Sequence, residues 1–328
     1  MQLLITDFLD KPLWMWAVFI AVVLFLLVLD LGVLHKESKE IGIKESLLLS
    51  TFYIAVGIAF GGWIWYQSGQ QSALEYLTGF VVEKSLAMDN IFIIAMIFTY
   101  FAIPRQYQHR VLLWGILGVI VMRGVMIAGG AAIVQNFHWV LYLFAAFLVI
   151  TGIRMLFAGD HDASELENNR VLKFLRRKLP VTDRLHGEKF IVRLPDPNTG
   201  KLKTWITPLL LALIMVELAD LVFAVDSIPA IFAITTDPYI VYTSNIFAIL
   251  GLRALYFALA ALIHRFVYLK YALAAVLVFV GSKIFVADML GLAKIPPAVS
   301  LGVTVAILAT GIFGSIWATR KEKLIKSH

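Results

Sequence analysis

Long apolar runs alternate with short polar segments from one end of the chain to the other. Each run approaches or exceeds the ~20 residues that an α-helix needs to cross a bilayer. The pattern predicts nine spans, over about residues 13–34, 47–66, 76–103, 111–134, 140–157, 205–235, 240–262, 269–287 and 297–319. The first run is too long for a signal peptide and lacks a basic leader and a small-residue cleavage site, so it is expected to remain as a helix. The predicted class is an all-α polytopic membrane protein embedded in the lipid bilayer. Between the fifth and sixth spans lies the one sizeable polar piece. There "NNRVLKFLRRKLP" reads as an amphipathic helix ended by Pro180, and "KFIVRLPDPNTGKLKTW" as a hairpin around a Pro/Asn/Gly turn.

Two of the apolar runs carry acids. "TGFVVEKSLAMDNIFIIAMIF" holds Glu83 and Asp89 together with Lys84 and Asn90, and "LALIMVELADLVFAVDSIPAIFAI" holds Glu217, Asp220 and Asp226. These runs also fall at matching places in an internal repeat. "YLFAAFLVITGIRML" from Tyr142 aligns with "YALAAVLVFVGSKIF" from Tyr271 at an offset of 129, and Glu83-x5-Asp89 parallels Asp220-x5-Asp226. Spans 3–5 are therefore expected to recur as spans 6–8. Three spans per unit is odd, so the second copy runs with opposite topology. Such a 3+3 inverted repeat places a transporter site near the midplane, where the copies meet. The chain divides accordingly into an N-terminal hairpin of spans (1–75), a first three-helix repeat (76–157), a polar loop (158–204), the inverted repeat (205–290), and a last span with a basic tail (291–328). The acidic spans, of 28 and 31 residues, exceed the ~20 required. Either tilt or a discontinuous helix, broken at Pro229 in the second, accommodates the excess.

Composition agrees with the pattern: the chain is 60% hydrophobic and 15% charged, against about 25% in soluble domains. The net charge of +6 is topogenic. Alternate loops hold 21 Lys and Arg on one side and two, Lys11 and Lys294, on the other. The basic side is expected to be cytoplasmic, with the N-terminus outside and the C-terminus inside, and no nucleic-acid role is needed. Cysteine is absent, which removes disulfides and thiol redox chemistry. The seven histidines fall in loops or at helix ends, an arrangement unsuited to an intramembrane bis-histidine haem.

A carboxylate at the bilayer centre costs at least ~2.5–3.5 kcal/mol on insertion scales, so five need compensation. Lys84, Arg123 and Arg253 are the charge-balancing bases within the spans, yet full pairing leaves two acids over. A divalent cation answers the excess. Carboxylates with neutral oxygens from Asn90, Ser227 and Ser85 suit Mn²⁺, Ca²⁺ or Mg²⁺ better than Zn²⁺ or Cu. Asp30 is a weaker accessory candidate, either snorkelling or lying on the path inward.

"EKSLAMDNIF", "VELADLVFAVDSIPAIFAITTDP" and "TSNIFAILGLRALYF" resemble the signature segments of the TerC family of bacterial membrane proteins, most closely its Alx-like branch. The resemblance spans nearly the whole chain. It implies an inner-membrane protein of the TerC/LysE-like transporter group associated with Mn²⁺ export, and metal ligands at Glu83, Asp89, Asn90, Glu217, Asp220, Asp226 and Ser227. The expected function is a secondary transporter, not an enzyme, that exports Mn²⁺ (Ca²⁺ being the alternative ion). Protons compete for the same carboxylate oxygens and offer a coupling ion. No GxxxxGK[ST] segment points to ATP as the energy source. Two alternatives stand beside it: a membrane scaffold that hands Mn²⁺ to exported proteins, and a membrane-bound redox or tellurite-resistance protein, the latter at odds with the absence of cysteine.

Overall fold

A computed structural model describes residues 7–9, 11–32, 42–157, 170–195, 200–260, 268–291 and 295–326. Among these residues ten helices follow one another: α1 (Leu13–Gly32), α2 (Ile43–Tyr100), α3 (Arg105–Asn136), α4 (Val140–Phe157), α5 (Arg170–Lys178), α6 (Pro208–Phe232), α7 (Pro238–Ile249), α8 (Leu252–Ala260), α9 (Leu269–Met289) and α10 (Pro297–Lys326). Among the described residues 82% are helical. Two short antiparallel hairpins complete it, β1 (Asp7–Phe8) with β2 (Lys11–Pro12), and β3 (Ile191–Pro195) with β4 (Leu202–Ile206). Among the described residues, eight helical stretches are long and apolar enough to cross a membrane.

Nine spans were expected, and the difference lies in α2. Its 58 residues include the predicted spans 47–66 and 76–103, joined at Gly69, which adopts φ +86° and ψ 173°. Only glycine enters that region without a steric penalty. The chain folds back there. The Tyr76 hydroxyl donates to the Gly57 carbonyl at 2.9 Å, and the Phe60 and Tyr76 rings lie 5.8 Å apart. In a straight helix nineteen residues would separate those groups by about 28 Å. The two arms of α2 are therefore antiparallel neighbours.

Of the two alternatives for the sixth span, the break at Pro229 is not the one that forms: α6 runs unbroken through it and ends at Phe232. Placed within the last turn, the proline forfeits one amide donor where the helix is about to stop. The break falls instead in the seventh predicted span. There Leu250 (φ −55°, ψ 132°) and Gly251 (φ +79°) separate α7 from α8. A β carbon on Gly251 would also collide with Tyr53, so both backbone and packing require glycine.

Helices α4 and α9 pack antiparallel and very closely. Gly152 faces the Ala274 carbonyl and Val278, while Gly281 faces the Ala145 carbonyl and Val149. The polar piece forms as the sequence predicts, with an amphipathic helix and then a hairpin in register Ile191↔Ile206 and Arg193↔Thr204. It docks on the bundle end near the α2–α3 turn. Leu172 is buried there, the Arg176 guanidinium lies over the Tyr100 and Phe101 rings, and Arg110 pairs with Glu188 at 3.0 Å.

Candidate functional site

Four helices bring polar groups to one point inside the apolar bundle. Glu83 comes from the second arm of α2, Arg123 from the middle of α3, Asp220 and Ser227 from α6, and Asn245 from α7. Arg123 is the hub, with 1% of its surface exposed, and Glu83 has 2%. Its Nε and Nη2 donate to the two oxygens of Asp220 at 3.1 and 3.0 Å, a bidentate fork. Its Nη1 donates to Glu83, to the Asn245 Oδ1 at 3.0 Å and to the Ser227 hydroxyl at 3.3 Å. Asn90 adds a bond from its Nδ2 to the Asp220 Oδ1 at 3.3 Å. One cation thus faces two carboxylates, and the group keeps a formal excess of one negative charge.

The remaining sequence-predicted residues lie around this hub or apart from it. Glu217 sits one turn before Asp220 on α6, half-buried, with its carboxylate pressed against Gly118 of α3. Asp226 is also half-buried and accepts from the Thr151 hydroxyl at 3.5 Å. Among the described residues no base contacts either acid. Asp89 belongs to α2, but its side chain lies outside what is described. The Ser85 hydroxyl donates back to the Val81 carbonyl of its own helix, 2.7 Å away.

The three expected bases divide. Arg123 and Arg253 meet acids, Arg253 through Asp30 at 3.0 Å. Lys84 does not. Its Nζ donates to the Ala248 and Leu250 carbonyls at 2.9 and 3.2 Å. The break after α7 frees those carbonyls from intrahelical partners, and an ammonium satisfies them. Asp30 is likewise bound into an ion pair rather than left to snorkel.

A cavity with about 40 Å³ of room for water-sized occupants adjoins the hub, between Asn90, Asp220, Phe223, Leu112, Leu252 and Arg253. It exceeds what one water needs. Polar atoms without partners border it: the Asn90 Oδ1 and the Arg253 Nη2 are both buried and unbonded. The Asn245 Nδ2 is unbonded too. Among the described residues no three acids, histidines or cysteines converge as a ready metal cluster. The acids meet around a guanidinium instead. Sequence reasoning missed Asn245 and Thr151, although Asn245 carries the signal that exposed Asn90, an amide within an apolar span.

A family model described as "Integral membrane protein TerC family" matches residues 68–323. The chain belongs to the TerC family. Its arginine hub, cavity and broken seventh span all fall within the matched residues. An uncharacterized membrane protein of Rickettsia bellii is 48% identical, covering 92% of this chain and 96% of its own. A Myxococcus xanthus membrane protein is 45% identical, covering 93% of each chain. The Escherichia coli relative named "Putative membrane-bound redox modulator Alx" is 43% identical, covering 94% of this chain and 96% of its own. No solved structure matches.

Proposed function

We propose that this TerC protein is a secondary transporter that exports a divalent cation, foremost Mn²⁺, across a bacterial inner membrane. The observation that carries this reading is the hub: Arg123 lies between Glu83 and Asp220, holding the position that a cation would need. In the cargo-free protein its guanidinium supplies the countercharge. Cargo displaces it, and the freed carboxylates with the Asn90, Asn245 and Ser227 oxygens form the hard-oxygen set that Mn²⁺ accepts. Glu217 and Asp226 share α6 with the hub residues Asp220 and Ser227 and, in this reading, serve the approach. Protons competing for these oxygens supply the coupling.

The reciprocal contacts of α4 and α9 support the inverted repeat. Ala145, Val149 and Gly152 correspond to Ala274, Val278 and Gly281 at the offset of 129, and each glycine meets the other helix's equivalent carbonyl. Exchange of partners between antiparallel helices is what a two-fold axis perpendicular to them produces. A name denoting redox modulation also fits a carrier: changing the level of a redox-active ion shifts redox balance without any electron passing through the protein.

The test is flux of Mn²⁺ in proteoliposomes containing an Mn²⁺-quenched fluorophore. Saturable, protein-dependent quenching that responds to an imposed pH gradient is the expected result. Binding without flux would favour the metallation-scaffold reading, and neither binding nor flux would sink both. Export direction rests on the basic asymmetry of the loops. Single cysteines at Gln70, by the α2 fold, and Lys201, in the hairpin, report it in a chain without native thiols. An impermeant thiol reagent outside the inner membrane should label Gln70→Cys and spare Lys201→Cys; the reverse would invert the topology.

A further inference from the structure

The break after α7 leaves a helix C-terminus inside a membrane-spanning stretch, with carbonyls pointing at one side chain, that of Lys84. A C-terminus carries roughly half a negative charge, and it attracts cations. Lys84 is an unusual cap for two reasons. It arrives from a different helix, 164 and 166 residues away from the carbonyls it binds. Among the described residues no carboxylate pairs with it, so the backbone alone holds its charge. The conformation presenting these oxygens is fixed independently of Lys84, by Gly251 at φ +79° packed on Tyr53. Two convergent carbonyls accept from the ammonium at 2.9 and 3.2 Å, and carbonyls freed where membrane helices are interrupted are the groups that coordinate alkali ions.

We propose that the Ala248–Leu250 end of α7 is a monovalent-cation site, and that the ammonium of Lys84 is its tethered occupant. The site is distinct from the Arg123 hub and takes a different class of ion. Carbonyl oxygens without a carboxylate offer too little charge for a divalent cation but suit Na⁺, K⁺ or an ammonium. Holding its own cation frees the protein from any need for an alkali ion there. The proposal does not depend on the transport reading, because its readout is binding and stability rather than flux.

The test compares the full-length protein with Lys84→Ala, which vacates the position, and Lys84→Gln, which keeps a neutral donor. The unfolding midpoint in detergent is measured in NaCl, KCl or choline chloride at one ionic strength. Wild type should melt at the same temperature in all three. Lys84→Ala should lose several degrees in choline and recover most of the loss, saturably, in one of the alkali salts. Lys84→Gln should show the same selective response. Variants as stable as wild type in choline, or equally destabilised in every salt, would make Lys84 an ordinary cap and overturn the proposal. So would failure of both variants to accumulate, since alkali ions are present throughout synthesis in the cell.

Discussion

Arg123→Gln should give a strongly destabilised protein that a divalent cation restabilises. The substitution leaves Glu83 and Asp220 facing each other in an apolar bundle without their shared guanidinium. Removing one partner of a buried ion pair costs about 3–5 kcal/mol, because the other charge stays buried and uncompensated. The expected outcome without metal is low membrane yield and a fallen unfolding midpoint. Mn²⁺ should then raise the midpoint strongly in the variant and only weakly in wild type, whose guanidinium competes for the same oxygens. Neutralising the acids as well, in Arg123→Gln/Glu83→Gln/Asp220→Asn, should restore stability and abolish the Mn²⁺ response. The three sites share one network, so their effects will not add. Loss of stability that Mn²⁺ does not relieve would leave Arg123 as a structural clamp and remove the main support for a cation site.

How far the sequence foretold this arrangement depends on whether a signal is local or three-dimensional. The spans were readable because a bilayer forces ~20-residue apolar runs. The hairpin β3–β4 was readable because turn residues separate two short strands. Glu83, Asn90, Asp220 and Ser227 could be grouped because the sequence similarity of the two halves suggested acidic pairs at equivalent places. That they would close on an arginine was not readable: Arg123 stood as one of three interchangeable bases, and only the packing of α3 against α6 distinguishes it from Arg253 and Lys84. The helix break shows the opposite failure. Pro229 is the stronger breaker by propensity, yet near a helix end it costs little. Gly251 is a weak signal in an apolar run, but its backbone conformation decides the path of α7 and α8. The reversal inside α2 agrees with the two separate spans read at 47–66 and 76–103; what the sequence did not show is that helix continues up to Gly69 on both sides, with no loop between the arms.

Glu217→Gln and Asp226→Asn should each abolish Mn²⁺ flux while leaving protein levels near normal. Neither acid contacts a base among the described residues, and both are half-buried, so neutralising them strands no partner charge. Asp220→Asn should behave differently, lowering the amount of protein because it withdraws half of the Arg123 fork. Flux per molecule and membrane abundance, measured on the same preparations, separate the two classes. The amides keep the size and one acceptor oxygen of each acid, so loss of transport would follow from loss of charge. Glu217 allows a further check in which no charge changes. Its carboxylate lies against Gly118, where a β carbon would overlap it. Gly118→Ala should push the carboxylate aside and reproduce the Glu217→Gln loss of flux in a protein whose ionisable groups are all intact. Normal flux in Gly118→Ala together with lost flux in Glu217→Gln would mean that Glu217 acts through its charge at a distance. Normal flux in both would take Glu217 off the cation path.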